Sequence, residues 1–226
     1  MAKALGKTTD YEDLMRRAKN YRYLYNPKTK LFQARNADGC WAGEHSGFTE
    51  GANWTYQFCV MQDVQGLIDL MGGNESFAAA LDNVFDNGHY RHDNEPGHHY
   101  VYLYNYCGRF DKAQERIPEI LDTHYRNGAD GLSGNDDCGQ MSAWYLFSSL
   151  GFYPVTPASG EYALGIPRFP SARVELPHGK VLTVRAEGLK EHKHLPVILF
   201  NGKKLDAPFI AIRDLMKGGV LEFKAE

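Results

Sequence analysis

Apolar residues recur at helical spacing through the first two thirds of the chain and at alternating spacing through the last third. Tyr11, Leu14, Met15, Ala18, Tyr21 and Tyr25 predict a first helix, opened by a Thr9-x-x-Glu12 capping pattern and stopped by Asn26-Pro27. Trp54, Phe58, Met61, Val64, Leu67, Ile68 and Met71 predict a second helix over residues 53–71, with Gly72-Gly73 as its stop. Further helices are predicted over residues 75–85, over 96–107, from Asp111 to Asn127-Gly128 with Pro118 inside, and over 139–150. From about Tyr153 the pattern changes. "ARVELPHGKVLTVRA" predicts a hairpin turning over residues 177–180, and "VILFNGKKL" a second one with an Asn-Gly turn. The expected organisation is mainly α: a helical part over residues 1–152 and a small β-rich region over 153–226.

At 226 residues the chain is long enough to bury a sizeable core. Its net charge of −3 gives no global basic field, so nucleic acid is not an expected partner. None of Cys40, Cys59, Cys107 and Cys138 forms a C-x-x-C pair, which argues against a zinc knuckle and a disulfide scaffold. No apolar run approaches the ~18 residues of a membrane span, and no signal peptide is evident. Aromatic content is high, with 14 Tyr, 12 Phe and 3 Trp. Such side chains fill cores first, and they also stack on sugar rings.

Three polar clusters precede predicted helices. "GFTEGANWTYQF" carries Glu50 ahead of Trp54 and Tyr56. "RHDNEPGHHYVYLYN" carries Asp93, Asn94, Glu95, His98 and His99. "GLSGNDDCGQMSAWYLFSSLGFYPV" carries Asn135, Asp136 and Asp137. Taken singly, each acid has a plain structural reading as a first-turn residue favoured by the helix dipole. Taken together on one rim, three acidic loops would repel unless a cation or a shared proton relieved them. Carboxylate and amide oxygens suit a hard cation such as calcium. The His98-His99 pair suggests zinc less well, since adjacent histidines seldom aim at one ion and no H-E-x-x-H is present. They are expected to donate hydrogen bonds to a polar ligand. Paired carboxylates beside aromatics are the tools of glycoside hydrolysis. An inverting enzyme holds its two carboxyl groups about 6.5–9.5 Å apart to admit a water.

The motifs "FTEG…W.Y", "DVQGLIDLMGG", "NEPGHHYVYLYN", "QERI", "GLSGNDDCGQMSAWYLFSSLGFYPV" and "YALGIP" resemble, in order, the C-terminal half of the catalytic domain of glycoside hydrolase family 92. These are calcium-dependent exo-α-mannosidases that hydrolyse with inversion. They have an N-terminal β-sandwich followed by an (α/α)6 toroid. The resemblance implies that the six predicted helices are about half of such a toroid. It implies Glu50 as general acid and Asp137 as general base, with Asp136 beside it in the catalytic loop. It implies Asn94 and Glu95 as part of a calcium and mannose site, and Trp54, His98, His99 and Asn135 as substrate contacts. Calcium there would bind the vicinal 2- and 3-hydroxyls of the sugar and help distort its ring. The implied substrate is an α-mannoside oligosaccharide or glycoprotein glycan, and the implied destination of the full-length parent is secreted or periplasmic.

The sequence also departs from that pattern. Family members read E-G-N-x-W-Q-Y, whereas this chain reads E-G-A-N-W-T-Y, placing Asn53 one position later and Thr55 where the family has Gln. The loop between Phe85 and Asn94 is shorter. Half a toroid would expose the inner faces of its helices and need a partner, either the missing N-terminal half or a second copy. Two further readings stand beside the hydrolase: a carbohydrate-binding or assembly-dependent fragment without turnover, and a different (α/α)6 enzyme such as a lyase. Sequons at Asn53 and Asn74 are read as chance matches.

Overall fold

The computed structural model describes residues 1–44 and 46–225. The chain is a mixture of helix and sheet, and it divides into two compact units, Met1–Tyr90 and Arg91 onward.

The first unit opens with α1 (Thr8–Arg17), which is followed by a 3-10 turn over Asn20–Leu24. The Thr9 capping pattern is not realised: Lys7 holds the N-cap position and makes no side-chain cap. A short hairpin pairs β1 (Tyr25–Asn26) with β2 (Leu31–Phe32). The helix predicted over residues 53–71 is three pieces: α2 (Asn53–Tyr56), a 3-10 turn over Met61–Asp63, and α3 (Val64–Leu70). Tertiary hydrogen bonds cause the break. The buried Gln57 amide accepts from Phe32 N–H (3.0 Å) and donates to the Lys30 carbonyl (3.0 Å), anchoring the end of α2 to the hairpin. The chain then leaves helical geometry at Val60 and restarts where Asp63 accepts from the Gly66 N–H. Gly72 and Gly73, both at positive φ, stop α3 as expected, and α4 (Asn74–Asp86) follows. Phe58 meets Phe77 edge-on at 5.2 Å in a core with Leu67, Ile68 and Leu81.

The second unit begins with a 3-10 turn over Glu95–Gly97 and a 3-10 segment over Tyr100–Cys107, where an α-helix was expected. Every residue of that segment except Tyr106 is buried, so it lacks the polar face of an ordinary surface helix. Next come α5 (Phe110–His124) and α6 (Gln140–Leu150). Residues 152 and 153, where the sequence places its boundary, form strand β3 (Phe152–Tyr153) inside this unit, paired with β4 (Glu161–Leu164). Two buried amides join helices to the β-rich part. Asn105 donates to the Leu164 carbonyl (2.7 Å), and Gln114 donates to the Gly165 and Leu195 carbonyls while accepting from Leu195 N–H.

Both predicted hairpins form. β5 (Ser171–Glu175) pairs with β6 (Val181–Ala186), and β7 (Val197–Phe200) with β8 (Lys203–Lys204). Asn201 and Gly202 sit at φ 51° and 78° in the tight turn of the second. β9 (Phe209–Ala211) joins β3 and β4 in a three-stranded sheet, and a short α7 (Ile212–Leu215) follows it. β10 (Gly219–Lys224) inserts between β6 and β7, parallel to the first and antiparallel to the second. No helix among the described residues is long and apolar enough to cross a membrane.

Candidate active site

Glu50 lies in the first unit, on the exposed loop ahead of α2. Its φ of 57° is a left-handed conformation that few non-glycine side chains adopt. Its neighbours are fixed on both sides. Phe48 stacks on Tyr56 with ring centroids 5.6 Å apart, and the Tyr56 hydroxyl donates to the Thr49 carbonyl. Gly51 lies so close to Thr55 that a Cβ would meet its hydroxyl at 2.6 Å, and that hydroxyl accepts from Ala52 N–H (3.2 Å). Thr55 therefore has a clear local role as a brace for the Glu50 loop. Trp54 stacks flat on His89, with centroids 4.3 Å apart and rings 4° from parallel. Asn53 is fully buried, which fits the reading of its sequon as a chance match.

The remaining predicted site residues lie in the second unit. Two loops, one over residues 91–99 and one over 131–140, come together there. Gly134 shows how closely: a Cβ on it would sit 2.3 Å from the Asp93 carbonyl oxygen. Gly131 is equally confined, 2.4 Å from the Arg126 carbonyl. The glycines of "GLSG" are thus contact glycines. Asp93 is fixed by a two-pronged ion pair with Arg91 (2.8 Å at Nε), which holds its carboxyl below the ordinary range.

Asp137, Cys138 and Gly139 are three successive residues at positive φ, 46°, 59° and 92°. This left-handed run presents Asp137 outward just before α6. The negative charge of Glu95 is the main reason its pKa is raised, with desolvation and the charge of Asp136 adding to it. Asp136 has a different task. Its carboxylate accepts from the backbone N–H and the hydroxyl of Ser142 (2.9 and 3.1 Å), satisfying an orphan donor in the first turn of α6. Asn135 is exposed on the same loop, and the Asn94 side chain accepts from the Glu95 N–H (3.1 Å).

Both histidines of the motif are buried. His98 is buried, and both its ring nitrogens are engaged by protein: Nε2 donates to the His92 carbonyl (3.0 Å), and Nδ1 faces the Gln140 amide nitrogen (3.3 Å). Both ring nitrogens therefore already have protein neighbours. Burial also lowers its pKa, keeping it neutral. His99 is buried too, edge-on to Tyr100 at 5.0 Å.

Sequence reasoning passed over His92, which sits at the centre of the cluster. It is fully buried, lies 2.7 Å from the Tyr125 hydroxyl, and is ringed by His98, His124, Tyr125 and Trp144. Burial above all, then the neighbouring His98 and His124, push its pKa down to about 2. Gln140 and Tyr153, joined by a 3.0 Å hydrogen bond, were also missed. A signal for Gln140 was present, since it is the one amide side chain in a helix of apolar residues and serines. Among the described residues no group of three or more His, Cys, Asp or Glu side chains converges as a metal cage.

The family model "Glycosyl hydrolase family 92 catalytic domain" matches residues 1–226. A family GH92 alpha-mannosidase from Bacteroides thetaiotaomicron superposes with a TM-score of 0.92 at 40% identity, covering 99% of this chain and 32% of that one. A family GH92 inverting mannosidase from the same organism gives a TM-score of 0.90 at 33% identity, covering 99% of this chain and 34% of that one. An uncharacterized secreted glycosidase of Arthroderma benhamiae is 30% identical over 177 residues, which is 76% of this chain and 23% of the relative. The chain thus spans about a third or less of the length of the proteins it matches. With the family model covering the full sequence, the chain belongs to the catalytic domain of glycosyl hydrolase family 92.

Proposed function

We propose that this chain supplies one part of the catalytic centre of an inverting exo-α-mannosidase. The reading rests on one observation above others: the loops that carry Glu95 and Asp137 are clamped together at Gly134 and Asp93, and the charge of Glu95 raises the pKa of Asp137 ahead of α6. A base poised for water attack needs such a fixed carboxylate. Asp137 takes the proton of a water as it attacks the anomeric carbon. Glu50, held on its braced loop, gives a proton to the departing glycosidic oxygen. Asp136 positions the loop by capping α6, and Trp54, stacked on His89, is a sugar contact in this reading. Asn135 and His99 complete the sugar contacts in this reading. The helices form part of an (α/α)6 toroid whose remaining elements come from the rest of a longer polypeptide or from a second copy. A secreted or periplasmic destination suits a substrate of α-mannosyl glycans.

Calcium fits the donors present. Glu95 and Asn94 would hold it, because carboxylate and amide oxygens are the ligands a hard cation takes and two electrostatically coupled carboxylates favour a positive charge. In this reading the chain furnishes part of the calcium shell. When bound, the ion supplies a Lewis acid for vicinal hydroxyls of the sugar.

The test is release of mannose from a panel of α-linked mannobiosides, with calcium and then with a chelator, by this chain alone and by any longer polypeptide that carries it. Calcium-dependent release with inverted anomeric configuration supports the reading. Retention of configuration, or release of a different sugar only, would sink it.

A further inference from the structure

The carboxyl pair is flanked by two clamps. On one side, Gly134 packs against the backbone of Asp93. On the other, Gln140 and His98 join the ends of the same two loops, three residues beyond Asp137 and three beyond Glu95. The His92 carbonyl can only accept, so His98 must carry its proton on Nε2. Nδ1 is then an acceptor, and the Gln140 amide nitrogen is its donor. The same nitrogen donates to the Tyr153 hydroxyl (3.0 Å), which orients the amide. The His98 carbonyl accepts from the Trp144 indole N–H (2.8 Å) one turn further along α6. Below them, the Tyr125 hydroxyl accepts from His92 and donates to the Met141 carbonyl (3.0 Å). Burial keeps both histidines neutral.

We propose that Gln140 is a positioning residue that locks His98 as its Nε2–H tautomer and so holds the Glu95 loop in register with Asp137. The proposal rests on the functional reading above and concerns rate. Sugar hydroxyls do not touch Gln140 in it, so losing the latch misplaces the base relative to its water and leaves ground-state binding largely intact. Met is the informative replacement, because it keeps the length of the side chain and removes the donor. Tyr153→Phe removes the group that orients the amide and leaves Gln140 itself in place.

The experiment pairs a spectroscopic readout with kinetics. In the ¹⁵N spectrum of histidine-labelled protein, wild-type His98 is expected to show one fixed Nε2–H tautomer. Gln140→Met should give averaged ring-nitrogen shifts. Its kcat on an α-mannobioside should fall about tenfold to a hundredfold with KM within about twofold, the scale of a small misplacement of a catalytic group. Tyr153→Phe should fall between the two, and Gln140→Asn, whose amide is one methylene short, should not restore wild-type behaviour. The proposal is overturned if Gln140→Met keeps the wild-type His98 signature, or if the signature changes with kcat untouched. It is also overturned if the loss is entirely in KM. Should neither this chain nor a longer polypeptide that carries it hydrolyse a mannoside, the functional reading fails separately, while the tautomer comparison still decides whether Gln140 sets His98.

Discussion

Glu50 and Asp137 share a backbone conformation that costs about 1–2 kcal/mol for a side chain with a Cβ. Such outliers persist where surrounding contacts over-determine them. Around Glu50 the surroundings are the Phe48–Tyr56 stack and the Thr55 brace, and around Asp137 they are the Asp136 cap and the Glu95 contact. The two acids are expected to differ in how substitution hurts. Glu50→Gln should cut hydrolysis of poor leaving groups about 100-fold or more and spare activated aryl mannosides, since only the former need the proton. Equal loss on both would remove Glu50 from the acid role. Asp137→Asn should damage both alike, and near-normal turnover in that variant would remove it as the base. His92 makes a separate prediction. Its folded pKa lies far below its unfolded value near 6.5, so the unfolded chain binds more protons as pH falls. Stability is therefore full above about pH 6.5 and declines below it. His92→Gln keeps a donor toward Tyr125 and cannot titrate. Its melting temperature should fall less steeply between pH 7 and pH 4, and an unchanged slope would show that His92 is not responsible.

At the scale of elements, α6 is the piece that places the chemistry. Asp136 satisfies a first-turn N–H of that helix, so Asp136→Ala is expected to cost about 1 kcal/mol in chemical denaturation, with Asp136→Asn costing less. If both variants matched wild type, the cap would be unimportant to stability. The loop before α6 is governed by close approach. Gly134→Ala forces a Cβ into the Asp93 carbonyl, and overpacking of this kind costs about 1–3 kcal/mol. Activity should fall together with stability there, because the collision separates the two loops that carry Glu95 and Asp137. A stable Gly134→Ala protein with full activity would refute the clamp. Much of the element plan was readable. The stops at Gly72-Gly73, the hairpin at residues 177–180 and the Asn201-Gly202 turn come from local backbone preferences. The break of the second helix was not readable, because Gln57 makes its hydrogen bonds to Phe32 and Lys30, distant in sequence.

For the whole molecule, the sequence by itself determined the family. Long motifs of specific residues matched in order, and the family model spans the full chain. It also determined which residue types could do acid–base work on a sugar, since carboxylates and aromatics in pre-helix loops are visible as letters. What only the tertiary structure decided was which of those letters face one another. Asp136 and Asp137 are adjacent in sequence, yet one caps a helix and the other meets Glu95, because the left-handed turn beginning at Asp137 sends the two side chains apart. His98 and His99 read as a ligand-binding pair, and in the structure His98 turns inward with protein neighbours at both ring nitrogens. Periodicity reports which way a side chain faces along its own element. It carries no information about a hydrogen bond closed across 42 residues, such as that between Gln140 and His98. Such contacts form only when the packed core brings the two loops within reach.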